Sequence, residues 1–347
     1  MSVPRILNLM LAATPGGLEA MALNYHRALE SKGADVLSVG LEGSWFGGAL
    51  GDRPAGFASI KPASPLDPRT GWRLRRIAKA FAPDLVVAHG SRGAAVAIPA
   101  LKGRGAPIAV VMHNFRARPI VARADLVIGV SAVVAADLRA RLPAARVGAV
   151  DNFAPLMRAA PRSEPHDPLR LGSLGRLHPE KGFDLLVEAA GLLLLRGRSF
   201  RLAIAGDGPA AGDLTAQAER LGLGGQVDFP GWTSPAGPFL AGLDLFVCSS
   251  RTESFGLVVV EALAAGTPVA ATDIEGPRDI LARGRYGRLV APDSAEALAN
   301  GIAAALDDWP GALAAARLAE AEAVDAYDLP AGAERLWAAL TPLLSAG

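Results

Sequence analysis

The sequence predicts an α/β protein built from two Rossmann-like, doubly wound parallel-sheet domains facing a cleft. Three observations predict it. The chain has 347 residues, too many for one ordinary core and suited to two domains of about 150 residues each. Short apolar runs alternate with segments of helical spacing, first along residues 5–142 and again along 169–306, and such alternation gives parallel sheet with crossover helices. Between the two series, residues 154–168 mix Pro155, Pro161, Pro165 and Pro168 with polar groups, the composition of a linker.

Each element follows in chain order. The run at 5–11 (RILNLML) is short and apolar and reads as a buried strand. Thr14-Pro15-Gly16-Gly17 reads as a turn. From Leu18 to Lys32, Met21, Leu23, Tyr25, Ala28 and Leu29 recur at helical spacing before Gly33 stops the helix. Residues 35–39, 85–88, 108–112 and 126–130 read as further buried strands, with helices at 69–82, 92–101 and 131–142. After the linker, strands fit 169–174, 200–205, 227–229, 245–248, 268–271 and 287–290. Helices fit 183–196, 213–221, 255–265, 277–283 and 294–306, and 331–344 carries a last helical pattern. In open sheets of this kind ligands bind at the carboxyl ends of the strands, here expected to face the cleft.

Composition narrows the class. With 51% apolar and 20% charged residues the chain can bury sizeable cores. No apolar run reaches the roughly 18–20 residues of a membrane span, and the first ten residues lack the cationic and apolar regions of a secretory signal. Cys248 is the one cysteine, so no intrachain disulfide forms and the cytoplasmic side is expected. The net charge of +1 hides an asymmetry: residues 1–160 hold 20 Lys and Arg against 10 Asp and Glu, and residues 161–347 hold 15 against 24. A basic first half suits an anionic partner, a membrane surface or nucleic acid; compositional drift in an Arg-rich, Ala-rich chain is the plain alternative. Nucleic acid is disfavoured, since no aromatic-basic platform accompanies the charge.

The segment Glu253-Ser254-Phe255-Gly256-Leu257-Val-Val-Val-Glu261 follows a strand and opens a helix. Gly256 permits close backbone approach, and a helix start offers free N–H groups and a positive dipole end, which together make a phosphate site. On one helix the two glutamates would lie about 12 Å apart, too far to share a proton transfer but suited to two parts of one elongated ligand. A capping Glu253 and a solvated Glu261 fit the spacing equally well. Upstream, Ser173-Leu-Gly-Arg176-Leu-His-Pro-Glu-Lys181-Gly182 places a forked and a point cation on a strand-to-helix loop, able to grip a diphosphate; the alternative is a solvated basic loop.

Gly16 and Gly17 follow the first strand, with Glu19 in the first turn of the next helix. This suits backbone approach to phosphate, although the third glycine of a dinucleotide fingerprint is absent. His113 and His89 each end a strand and are competing candidates to contact a sugar. No Asp-x-Asp, metal-ligand cluster, P-loop or nucleophile elbow occurs, so no metal is expected. Residues 69–81 form a basic helix pattern: Trp72, Arg73, Arg75, Arg76 and Lys79 suit anionic lipid, while Leu74, Ile77, Ala78 and Phe81 suit a core.

These motifs together resemble the retaining glycosyltransferases of family 4, which carry the two-domain GT-B fold. The specific part is SLGRLHPEKGFDLLVEAA (173–190), LAIAGDGP (202–209), VDFPGW (227–232), LFVCSSRTESFGLVVVE (245–261) and ALAAGTPVAATD (262–273), in the family's order. The first domain fits more loosely, through Gly16 to Glu19, Val111 to His113, ADLVIGVS (124–131) and Asp151-Asn152. The resemblance implies an acceptor-binding domain over 1–160, a donor-binding domain over 161–330, and a final helix, 331–347, crossing back onto the first. It implies that Arg176 and Lys181 bind the donor diphosphate and that Glu253 contacts the sugar. Ser254 to Leu257 would hold sugar hydroxyls and phosphate by their backbone, Glu261 the ribose, and Gly16 and Gly17 would close on the phosphate, with His113 near the transferred sugar. The implied activity is metal-independent, retaining hexosyl transfer from a nucleotide sugar, a UDP-sugar first, with no cofactor. The acceptor would be a lipid-linked or surface glycan at the inner membrane face. A nucleotide-sugar epimerase and a non-catalytic scaffold are the alternatives on this fold. The sequence departs from the family at Gly276-Pro277-Arg278, where Gly-Gly before Pro-Glu is frequent, and at Phe153, where Gly is usual.

Overall fold

The computed structural model describes residues 3–12, 16–51, 56–61, 68–159 and 164–345. The turn expected at Thr14-Pro15 and the middle of the expected linker, including Pro161, lie outside them. The chain divides into two compact units, one formed by Met1–Pro155 with Asp328–Gly347 and the other by Leu156–Tyr327.

In the first unit the chain runs β1 (Arg5–Leu9), α1 (Gly17–Ser31), β2 (Asp35–Leu41), α2 (Trp45–Ala49), β3 (Phe57–Ile60), α3 (Pro68–Phe81), β4 (Leu85–His89), α4 (Gly90–Leu101), β5 (Ile108–Met112), β6 (Leu126–Gly129), α5 (Ala132–Arg141) and β7 (Val147–Ala149). All seven strands are parallel, in the order β3-β2-β1-β4-β5-β6-β7. The winding therefore reverses between β1 and β4, the position at which such sheets bind ligands. Every residue of β4 and β5 is buried, as near-continuous apolar strands covered on both faces must be.

The second unit runs β8 (Leu169–Leu174), α6 (Phe183–Leu195), β9 (Phe200–Ala205), α7 (Ala211–Arg220), β10 (Val227–Asp228), α8 (Ala236–Ala241), β11 (Leu245–Cys248), α9 (Leu257–Ala264), β12 (Val269–Thr272), α10 (Glu275–Ile280), β13 (Arg288–Val290), α11 (Ala295–Asp307) and α12 (Trp309–Glu322). Its six parallel strands lie in the order β10-β9-β8-β11-β12-β13, with the reversal between β8 and β11. One apolar cluster joins the sheet to α6, α7 and α11, and another joins its opposite face to α8, α9 and α12. The last helix, α13 (Leu329–Leu344), belongs to the first unit, where it meets α1. There Gly332 sits against the Phe153 ring, and Lys32 donates to Glu334 at 2.8 Å.

Several elements were absent from the sequence-based expectation. α2 is five residues with two glycines (WFGGA), and β3 and β7 are edge strands of four and three residues. α8 (AGPFLA) contains Gly and Pro. α12 begins Trp-Pro-Gly, and its proline occupies the first turn, where the missing N–H costs nothing. α9 starts at Leu257 and not at residue 255, because Gly256 (φ 99°) takes the left-handed cap position. Glu253 therefore lies in the loop before the helix, and the 12 Å helical spacing expected between Glu253 and Glu261 does not apply.

Candidate active site

In the second unit, the loop after β8 leads through a 3-10 turn, Pro179–Lys181, into α6. Gly182 joins the two at φ 62°, and a Cβ there would lie 2.1 Å from the Ser249 carbonyl oxygen, so this position admits glycine alone. The Ser249 hydroxyl donates to the Lys181 carbonyl at 2.9 Å, and the Arg251 N–H donates to the Glu180 carbonyl at 2.9 Å. The Arg251 guanidinium grips both Asp184 oxygens at 2.7 Å and reaches Asp293 at 3.0 Å. The loop after β8 is thereby tied to the loop after β11.

The product of this lacing is an ion pair between the Lys181 ammonium and the Glu253 carboxylate. Burial opposes the Lys181 charge, but the field and hydrogen bond of Glu253 outweigh it and raise its pKa above the ordinary lysine value. Burial, aided by the Glu253 charge, also pushes the Cys248 thiol up. Sequence reasoning missed Ser249, Arg251 and Asp184 as supports of this loop. Arg251 and Asp184 stand 67 positions apart, and nothing local marks them as partners.

Phe255 is 5% exposed, and its ring meets Tyr327 edge-on at 5.5 Å, so only its backbone can serve a ligand. Ser254 and Leu257 are half-buried beside it. The first turn of α9 leaves its leading N–H groups without intrahelical acceptors, at the positive end of the dipole. One turn beyond, Glu261 is half-buried, and its carboxylate has no hydrogen-bond or ion-pair partner among the described residues. Burial raises its pKa to about 7, which disfavours the alternative of a freely solvated Glu261. Arg176 is exposed, and its guanidinium likewise has no partner among the described residues.

Gly16, Gly17 and His113 belong to the first unit. Gly17 opens α1, and a Cβ there would meet nothing within 4 Å. The packing of the unit does not require glycine at this place, which leaves its backbone approachable. Glu19, in the first turn, is 3% exposed. His113 follows β5, and its Nε2 lies 3.0 Å from the Nδ1 of His89, with the rings stacked at 5.3 Å. The two histidines are thus one hydrogen-bonded pair and not competitors, with His89 at 2% exposure. Burial lowers the pKa of His113 to about 3. Burial, and next the neighbouring His113, push His89 well below its ordinary value. Both rings are neutral at physiological pH.

The basic helix pattern is α3. Leu74 and Ala78 are buried, and Trp72 is 55% exposed with Arg76 stacked 5.1 Å from its ring. Arg75 is exposed and also donates to the Ala100 and Pro99 carbonyls at 2.9 and 3.0 Å, closing the end of α4. Among the described residues no helix is long and apolar enough to cross a membrane.

Comparison with known proteins places this geometry in a family. A model described as "Glycosyltransferase Family 4" matches residues 15–158, and one described as "Glycosyl transferases group 1" matches residues 159–322. The lipopolysaccharide core biosynthesis glycosyltransferase LpsE of Rhizobium meliloti is 38% identical over 157 residues, 45% of this chain and 43% of that protein. The alpha-D-kanosaminyltransferase of Streptomyces kanamyceticus is 33% identical over 214 residues, 58% and 54% of the two chains. The chain thus spans about half the length of the curated relatives it matches. Among solved structures, sucrose-phosphate synthase from Thermosynechococcus elongatus superposes with a TM-score of 0.85 at 20% identity over 100% of both chains. Anabaena HepE in complex with UDP and glucose superposes with a TM-score of 0.81 at 21% identity, covering 98% of this chain and 100% of that one. With two parallel-sheet units, the Lys181–Glu253 loop pair and both family models in register with them, the chain belongs to the group 1, family 4 glycosyltransferases of the GT-B fold.

Proposed function

We propose that this chain transfers a hexose from a nucleotide-sugar donor to an acceptor hydroxyl with retention of configuration and without a metal ion. The observation that carries the reading is the grouping on the second unit. A charged lysine is paired to Glu253 just before the α9 start, and a half-buried Glu261 without a partner among the described residues follows one turn along. Arg176, Lys181 and the leading N–H groups of α9 suit the diphosphate, Glu261 the ribose hydroxyls, and Glu253 the sugar. The acceptor oxygen bonds to the anomeric carbon on the face from which the diphosphate oxygen departs, and the acceptor proton passes to that departing oxygen. Gly16 and Gly17 would meet the phosphate by backbone, and His113 the transferred sugar.

HepE is described with UDP-glucose bound, which makes a UDP-sugar the first donor to test. LpsE and LpsB of Rhizobium meliloti are named for lipopolysaccharide core biosynthesis, which supports a lipid-linked or surface glycan as acceptor. Attachment of the basic first unit to the anionic inner face of the cytoplasmic membrane follows from the same reading.

Substitution Glu253→Ala is expected to lower transfer by at least about 100-fold with an unchanged circular dichroism spectrum, measured against a panel of UDP-, GDP- and ADP-sugars. Full transfer in that variant would overturn the reading. Donor incubated without acceptor distinguishes the alternative chemistry, since an epimerase would return an isomerised nucleotide sugar.

A further inference from the structure

His113 is the end of a buried polar row that crosses the first sheet. The row runs from His113, after β5, to His89 on β4, Asn8 on β1 and Ser38 on β2, then to His26 and Glu30 on α1. It passes through the β1–β4 reversal. Asn8 and Ser38 are fully buried, and His26 and His89 are 3% and 2% exposed. Polar groups so deep must be satisfied, and here their donors and acceptors can be assigned in turn.

The assignment begins at a backbone carbonyl. Asn8 Nδ2 lies 3.0 Å from the Ala22 carbonyl oxygen, which only accepts, so the orientation of the Asn8 amide is fixed. Its Oδ1, 2.8 Å from His89 Nε2, is therefore an acceptor, and His89 carries its proton on Nε2. His89 Nδ1 is then an acceptor, so the bond at 3.0 Å is donated by His113 Nε2. In the other direction Asn8 Nδ2 donates to Ser38 Oγ at 3.1 Å, and Ser38 Oγ shares a hydrogen bond with His26 Nδ1 at 3.0 Å. His26 Nε2 faces the Glu30 carboxylate at 3.3 Å. From His113 to Ser38 every proton points the same way, and aligned bonds of this kind polarise one another. The low pKa values that burial gives His89 and His113 keep both rings neutral, as the assignment requires.

We propose that His89, held by Asn8, is a positioning residue that locks His113, the ring set beside the donor sugar in the function proposed above, in its neutral Nε2–H tautomer. The role of His113 beside the sugar rests on the function proposed above; the tautomer does not. His89 touches no reacting atom. Its effect passes through the ring it orients, as outer partners of ligand histidines act, where their loss typically costs about 10–100-fold.

The test uses the full chain with 15N-labelled histidine and long-range 1H–15N correlation, which reads the protonated nitrogen of each ring. His113 signals are assigned by loss in His113→Gln. Between pH 6 and 8 the wild type is expected to show both His89 and His113 neutral and protonated on Nε2. His89→Leu, which removes the acceptor, is expected to release His113 to the other tautomer and lower kcat about 10–100-fold with little change in donor KM. His89→Asn, which returns an acceptor oxygen near the Nδ1 position, is expected to restore the tautomer and most of kcat; it also stands in should the leucine variant fail to fold. An Nδ1–H or doubly protonated His113 in the wild type overturns the proposal, as does wild-type kcat in His89→Leu. The Nε2–H signature in a chain that transfers no sugar would support the relay and overturn the functional reading alone.

Discussion

Glu261 carries two opposed pH dependences. Burial raises its pKa from 4.5 to about 7 in the folded chain, so the folded state keeps a proton that the unfolded state has released. The stability this contributes is complete below about 4.5 and is lost as pH rises through 7. Thermal denaturation should therefore show the wild type losing stability over that window relative to Glu261→Gln. Ribose binding, as proposed, would run the other way, because hydroxyls donate to the ionised carboxylate. Calorimetry with UDP should give an affinity that strengthens from pH 6 to 8, and the difference from Glu261→Gln removes the titration of the phosphate itself. An affinity gap between the two proteins that ignores pH would exclude the ribose role. The sequence announces Glu261 as a glutamate on a helix, but not its burial, and the two pH effects come from burial alone. The Lys181–Glu253 pair was equally hidden, since its partners stand 72 positions apart; the motif located both residues without joining them.

Short connectors carry the energetics at the next scale. Gly182 holds the turn between Lys181 and α6 in the left-handed region, against the Ser249 carbonyl. Gly182→Ala should destabilise the second unit by about 1–3 kcal/mol and raise the donor KM by displacing Lys181, both measurable by denaturant titration and initial rates. α3 offers a separate test. Trp72, Arg76 and Lys79 remain outward after Arg75 is committed to α4. Salt-dependent flotation with anionic vesicles should weaken in Trp72→Ala with Arg76→Glu and stay absent with neutral vesicles. Equal indifference of the wild type to both lipids would remove the membrane reading. Elements of this length were legible when period and run length agreed, as in the buried strands β4 and β5 and the amphipathic α1. They were illegible where a strand was too short for a period (β7), or where no helical pattern was assigned and a proline opens the helix (α12).

Across the whole molecule, two alternations of strand and helix were enough to give the two parallel sheets, because each crossover permits few topologies. Membership of the two units is a matter of tertiary contact, and α13 shows it. Residues 328–345 complete the first unit: Asp328 bridges Ala154, Gly332 seats Phe153, and Glu334 holds Lys32. Phe153 in turn stacks on Tyr25 at 5.5 Å, and Tyr25 meets the His89 ring edge-on at 5.0 Å. Truncation after Tyr327 should lower the melting temperature of the first unit while leaving that of the second, giving two resolved transitions in calorimetry. A discontinuous unit also fixes an order of events on the ribosome. Residues 156–327 can reach their fold as soon as they emerge, whereas the first sheet, synthesised earliest, waits for the last helix to cover α1. Until then the face around Tyr25 and Phe153 is open to chaperones and to other nascent chains. Of the two units, the one whose sheet is made earlier is finished later.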